Sequence, residues 1–263
     1  MATSLIGGLI DNEVTPEQIT VSDPDMGRQA FLSKTFGVSV AKSNTEAIID
    51  AATVILAVKP QVLSIVANEL AVEIEKGRPL IISVAAGVKE SNIRGWLNFE
   101  ASIVRVMPNT PALIGLGASG LYANEFVSTV QRQRAERIMA AVGLTEWVNK
   151  EELLDAITAL SGSGPAYCFL LLELMAQTGE KLGLKSELAQ RFAKQTMLGA
   201  ATMADRSSES LTTLRQNVTS PGGTTERALA IFKEGSLEKL VHRAITGAHD
   251  RALELGDSIE GEK

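Results

Sequence analysis

Cysteine occurs once, at Cys168, so no intrachain disulfide can form. No spaced set of Cys and His is available to hold a structural metal, and none is expected. That thiol usage points to a reducing compartment, the cytoplasm. Histidine is nearly as scarce: His242 and His249 lie in one helical stretch with no carboxylate or thiol partner at metal spacing, so both are expected at a surface or interface. Basic runs are missing. The 25 Lys and Arg stand against 31 Asp and Glu, a net charge of −6, without the cationic cluster that neutralises phosphates. A nucleic acid or an anionic membrane is thereby excluded as a natural partner. The start lacks the basic stretch and apolar core of a signal peptide, and no uninterrupted apolar run reaches the roughly 20 residues that span a bilayer. What remains is 263 residues, long enough to bury roughly 70–75% of the surface exposed by the unfolded chain. A small-molecule enzyme of one large or two modest domains fits.

The chain changes character near residue 150. Before it, short apolar runs recur between helical stretches: "ITV" at 19–21, "ATVILAV" at 52–58, "PLIISVAA" at 79–86 and "SIVRVM" at 102–107. Runs without polar alternation are expected where helices cover both faces of a parallel sheet, the doubly wound α/β arrangement. From Glu151 onward strand signals stop, and "LLDAITAL", "AYCFLLLELMAQTGEKLG", "ELAQRFAKQTMLGAATMA" and "GSLEKLVHRAITGAHDRALELG" repeat apolar residues at helical spacing. The expected domains are therefore 1–149, α/β, and 150–263, all helix. Cys168, in an apolar helix, is expected to be a small buried hydrophobe, a partner-facing thiol being the alternative. The acidic tail "GDSIEGEK" is expected to fray.

Each α/β strand ends unusually. "AVKP" puts Ala57, Val58, Lys59 and Pro60 at a carboxyl edge, where open sheets bind ligands. Pro60 alone also explains a strand stop. "SVAAGV" ends in Val84, Ala85, Ala86 and Gly87, small enough for close approach to the backbone, and "VMPNTP" places Asn109 between two prolines in a stiff polar loop. Three such edges weaken the reading as plain strand stops.

A dinucleotide-binding sheet normally opens with a strand and a G-x-G-x-x-G/A turn that receives the pyrophosphate at a helix N-terminus. This chain opens with "MATSLIGGLIDN", which reads as the first helix itself, with Gly7 and Gly8 allowing close packing. The expectation is that the strand and leading glycines lie upstream of Met1, whose amino group would replace part of the lost donors beside the cofactor but not the strand. After the next strand, "VSDPDMGR" carries Ser22 and Asp23 where an acidic residue bonds a ribose diol; Ser22 and Arg28 would instead favour a 2′-phosphate.

Two loops interrupt the helical half. "LSGSGPAY" reads as a tight interhelical joint with Pro165 at a first helical position. "NVTSPGGTTERAL", 217–229, sets Ser220, Gly222 and Gly223 ahead of a helix starting near Thr224, a concavity of backbone N–H groups suited to a carboxylate. In isolation, a capped helix with a glycine hinge is the favoured explanation of that loop.

Taken together, "AVKPQ", "SVAAGV", "MPNTPA", "LSGSGPAY" and above all "LRQNVTSPGGTTERAL" resemble the pyrroline-5-carboxylate reductases, from Met1 to about Asp257. The resemblance implies a Rossmann-like domain, here without its first strand, followed by a helical dimerisation domain. It implies reduction of 1-pyrroline-5-carboxylate to L-proline with NADPH or NADH, by a homodimer or higher homo-oligomer. Asn44, Ala57, Val58, Lys59, Pro60, Val84, Ala85, Ala86, Asn109 and Asn217 match cofactor positions, along with Met1, Ser22 and Asp23. Ser220, Gly222, Gly223, Thr224, Thr225 and Glu151 match substrate positions. Thr225 is the expected catalytic residue, its hydroxyl facing the ring nitrogen.

Two other classes remain open: a non-catalytic helical dimer that has lost its nucleotide site, and an oxidoreductase of a related imine or β-hydroxyacid. The complete "SPGGTT" loop speaks against both.

Overall fold

The computed structural model describes residues 1–260 and divides into two compact units, 1–163 with 248–263, and 164–247. In the first unit, helix α1 (Ala2–Asp11) precedes any strand, as expected. β1 (Thr20–Val21), α2 (Met26–Phe36), β2 (Ser39–Val40) and α3 (Asn44–Ile48) follow. Next come β3 (Thr53–Leu56), α4 (Pro60–Gly77), β4 (Leu80–Ser83), α5 (Glu90–Leu97) and β5 (Ile103–Met107). A short 3₁₀ turn, Thr110–Ile114, leads to β6 (Gly117–Ala123), α6 (Thr129–Ala140), β7 (Gly143–Trp147) and α7 (Leu153–Ile157). A π-helical turn, Thr158–Gly162, ends the segment.

The strands form two sheets: β1 pairs with β2 in parallel, and β3-β4-β5-β6-β7 form the second. β3, β4 and β5 run parallel, whereas β6 is antiparallel to β5 and parallel to β7. The doubly wound expectation therefore holds for β1 to β5. β2, β6 and β7 are strands that the apolar-run criterion misses: "GASGLYA" is rich in glycine and alanine, and "GLTEW" alternates polar residues at a sheet edge.

All four residues of β4 are buried because helices cover both faces. Ile81 and Ile103 join Leu63, Leu70, Ile74 and Ile93 from α4 and α5 in one core. Leu80, Ile82, Val104 and Val106 join Leu5 and Met139 from α1 and α6 in the other. Ile6, the next residue of α1, enters a third core with Leu32 and Val38 beside the β1–β2 pair. Gly8 is what lets α1 approach so closely. A Cβ there would lie 2.5 Å from the Ala141 carbonyl oxygen and 2.6 Å from Val142 Cγ1, so the close contact is with the turn between α6 and β7.

The boundary at 149/150 moves to 163/164 in the compact units. The reason is local: Leu154 and Ile157 of α7 pack onto Gly120 of β6, so the first helix after residue 150 belongs to the sheet's own layer.

The second unit holds α8 (Gly164–Lys181), α9 (Ser186–Arg206), α10 (Leu211–Asn217), α11 (Thr224–Glu234) and the start of α12 (Leu237–Glu260). Pro165 falls at the second position of α8. α12 continues to Glu260, so 256–260 is helical instead of frayed; 261–263 lie outside the described residues.

Among the described residues, Leu153–Lys181 is one helical stretch long and apolar enough, by length and composition, to cross a bilayer. This corrects the expectation drawn from uninterrupted runs, because isolated polar residues such as Asp155 and Glu173 break the run without removing its apolarity. Cys168 is exposed on α8, contrary to the buried role expected. Phe169, Leu170, Leu171, Leu174 and Met175 around it are exposed too, so this apolar surface has no cover among the described residues.

Candidate functional site

The carboxyl ends of β1, β3, β4 and β5 carry most of the expected cofactor residues of the first unit, Met1 and Asn44 standing instead at the starts of α1 and α3. Beyond β1, the Asp23 carboxylate accepts the Asp25 N–H at 2.9 Å, and Arg28 Nη1 lies 3.8 Å from its other oxygen. Asp25 then caps α2, accepting from Gly27 and Arg28 N–H, which fixes where Arg28 leaves the helix. Asn44 opens α3 and donates to Glu69 Oε2 of α4 at 3.1 Å. Beyond β3, Ala57 and Val58 lead to Lys59, the extended N-cap of α4, with Pro60 at the first helical position. Among the described residues no side chain caps that N-terminus; Pro60 has no N–H and the Val62 N–H returns to the Lys59 carbonyl at 3.1 Å, which leaves the Gln61 N–H to another acceptor. Val84 to Ala86 follow β4, Ala85 being buried, and Gly87 takes φ +76, a conformation a side chain would strain. Met1 is the N-cap of α1, which also lacks a side-chain cap.

Asn109 begins the loop after β5, yet each end of its amide is already engaged. Oδ1 accepts the Ala118 N–H at 2.9 Å, and Nδ2 donates to the Ser161 carbonyl at 3.2 Å. The sequence assigned it to the cofactor; its geometry is that of a clamp.

Glu151 sits in a buried polar network that the sequence did not expose. Its Oε1 accepts from Arg105 Nη1 at 2.7 Å and from the Glu90 N–H at 2.6 Å. Asn124 Nδ2 donates to Glu90 Oε1 at 2.7 Å, and Arg94 Nε to the same oxygen at 3.1 Å. The signal available in sequence was a lone arginine inside an apolar strand, "IVRVM": Arg105 is 7% exposed, so an anion had to lie opposite. Tyr122 stands across the β5–β6 register from Arg105. Its phenol is raised above the usual value by burial, with Glu151, Glu90, Glu125 and Glu152 adding to the effect. Burial likewise raises the Asp155 carboxyl, opposed by Arg105, His249 and Lys89.

The remaining substrate residues are gathered in the second unit, between α10 and α11. Gly222 adopts φ +68, and its N–H donates to Glu226 Oε2 at 2.7 Å, while the Gly223 N–H returns to the Ser220 carbonyl at 3.0 Å. The concavity is therefore narrower than expected. The two glycines shape it with their own N–H groups spent, and the first-turn N–H groups of Thr224 and Thr225 have no partner among the described residues. The helix dipole adds positive potential at the same point. Asn217, at the end of α10, donates to Glu209 Oε2 at 3.2 Å.

Residues 151–255 match the family profile described as pyrroline-5-carboxylate reductase dimerisation, and residues 1–87 match that of NADP oxidoreductases, coenzyme F420-dependent. The chain is 46% identical over 259 residues to the pyrroline-5-carboxylate reductase of Pseudomonas aeruginosa, covering 98% of this chain and 94% of that one. The solved pyrroline-5-carboxylate reductase of Coxiella burnetii superposes with a TM-score of 0.93 at 43% identity, over 97% and 94% of the two chains. That of Plasmodium falciparum, solved with NADP bound, gives 0.85 at 28% identity over 97% and 94%. On near full-length identity and fold, the chain belongs to the pyrroline-5-carboxylate reductase family.

Proposed function

We propose that the protein reduces 1-pyrroline-5-carboxylate to L-proline with hydride from NADPH or NADH, the last step of proline synthesis. The observation that carries this is the "SPGGTT" loop at an uncapped helix N-terminus, in a chain 46% identical to a reductase of that name. The residues present fit a dinucleotide: uncapped N-termini of α1 and α4, small residues after β4, and Asp23 beside Arg28 after β1.

We assign the Thr224 and Thr225 N–H groups to the substrate carboxylate and the Thr225 hydroxyl to the ring nitrogen. Lys59, Pro60 and Val84 to Ala86 line the cofactor crevice, and Arg28 takes the 2′-phosphate, so NADPH is the preferred donor. The cofactor supplies a hydride to the imine carbon. Protonation of the ring nitrogen makes that carbon electrophilic, and the proton comes from solvent, so no side chain has to act as general acid. Catalysis then rests on orientation and on preorganised N–H donors.

Residues 151–255 pair the protein with a second copy, which covers the apolar surface of α8 instead of a bilayer. A single cysteine supports a cytoplasmic location. The deciding experiment follows NADPH oxidation at 340 nm with pyrroline-5-carboxylate and identifies proline by chromatography. Binding of NADPH without any turnover would overturn the assignment in favour of a non-catalytic dimer.

A further inference from the structure

Three contacts lock the end of the β5–β6 pair to the last residue of α7 and the segment that follows it, and two of them need a glycine. Ile157 lies against Gly120, where a Cβ would collide with it. Met107, paired with Gly120 in the sheet, reaches over Gly162, where a Cβ would come within 2.6 Å of Met107 Cε. Asn109 closes the third contact, with Oδ1 on the Ala118 N–H at 2.9 Å and Nδ2 on the Ser161 carbonyl at 3.2 Å. The segment it grips is the π-helical turn Thr158–Gly162, in which the Ser163 N–H reaches back five residues to Thr158 at 2.9 Å. Where a tight joint was expected from "LSGSG", the chain makes a widened turn. A π turn costs hydrogen-bond geometry and persists where neighbouring contacts hold it, often at functional sites.

The clamped loop lies at the carboxyl end of β5. Asp23 and Arg28 mark the adenosine-ribose end of the crevice beside the β1–β2 pair, so a dinucleotide laid from there past β3 and β4 of the second sheet brings its nicotinamide toward β5. We propose that Asn109 is a positioning residue: it touches neither cofactor nor substrate, and instead holds the Pro108–Pro111 loop and the π turn in register where the hydride is transferred. This rests on the reductase reading above. A 1 Å displacement of such a wall is enough to cost turnover without loosening the distant adenosine contacts.

The test compares the full-length protein with Asn109→Ala, Asn109→Asp and Gly162→Ala, the last disturbing the same clamp from the Met107 side while leaving the amide intact. Wild-type circular dichroism selects the variants that fold. The expected result is a fall in kcat of tenfold or more at saturating NADPH, an NADPH Kd by fluorescence titration within threefold of wild type, and faster amide exchange over 158–163. An NADPH Kd weakened tenfold with kcat unchanged would mean that Asn109 binds the cofactor directly. Unchanged kcat with only a lowered Tm would reduce the clamp to plain stability. Either result overturns the proposal. A wild-type protein that binds NADPH but does not reduce pyrroline-5-carboxylate sinks the reductase reading instead, and unaltered exchange over 158–163 in the Asn109 variants then refutes the clamp separately.

Discussion

Replacing Glu151 by Gln separates a framework role from the substrate role that the family resemblance assigns to it. Glu151 accepts from Arg105 at 2.7 Å and from the Glu90 N–H at 2.6 Å through one oxygen, with the two side chains 7% and 21% exposed. Glutamine keeps an acceptor of the same shape but leaves the Arg105 guanidinium charged and buried without its counter-ion. Removing one partner of a buried pair costs about 3–5 kcal/mol, and the partial exposure of Glu151 puts this site at the lower end. About 3 kcal/mol corresponds to a Tm lower by about 6–12 °C in a unit of this size. The double variant Arg105→Met, Glu151→Leu removes both charges and should recover most of that loss, because a buried pair replaced by apolar groups is close to neutral. Thermal unfolding followed by circular dichroism reads the stabilities, and steady-state kinetics reads the function. If Glu151 serves the framework, KM for pyrroline-5-carboxylate in the double variant stays within about threefold of wild type. A wild-type Tm in Glu151→Gln, or a KM raised tenfold or more in the stable double variant, would refute the reasoning.

Thr225→Ala removes one hydroxyl while sparing the backbone N–H groups, and should cost about 1–3 kcal/mol of transition-state stabilisation, roughly 5- to 150-fold in kcat/KM; an unchanged value removes Thr225 from the mechanism. Arg28→Ala should lower the NADPH-over-NADH ratio of kcat/KM about tenfold, the loss of about 1.4 kcal/mol from one charge-assisted contact, and an unaltered ratio would show that the 2′-phosphate is read elsewhere. Because burial raises the folded-state pKa of Asp155 above its unfolded value of 3.8, its contribution favours folding at low pH and is lost as pH rises through the raised value. Asp155→Asn should therefore be more stable than wild type at pH 7, the gap closing toward pH 3 in urea titrations; equal stabilities at pH 7 would show that Arg105, His249 and Lys89 fully offset the burial. Light scattering at micromolar protein should give a particle of at least twice 28 kDa, and Leu171→Asp on the exposed face of α8 should shift it toward the monomer.

Much of this protein was legible before any coordinates. Short apolar runs without alternation pointed to strands covered on both faces, and β3, β4 and β5 lie where those runs are, since burial on both sides leaves few places for a polar residue without a partner such as Glu151 gives Arg105. Helical spacing after Glu151 located α8, α9 and α12, and "SPGGTT" located the start of α11, because positive φ and an uncapped first turn are local properties of the chain. Strands β6 and β7 were not legible: their glycine, alanine and polar residues acquire strand geometry only from pairing with β5 and with each other. Nor could spacing show that Asn109 bridges to Ser161 across 52 positions, or that Glu151 answers Arg105 across 46. The sequence alone determined which residue types stand at each strand end and helix start. Only the tertiary structure decided which donors there are already paired and which remain for a ligand, because long-range hydrogen bonds join residues whose separation carries no periodic signal.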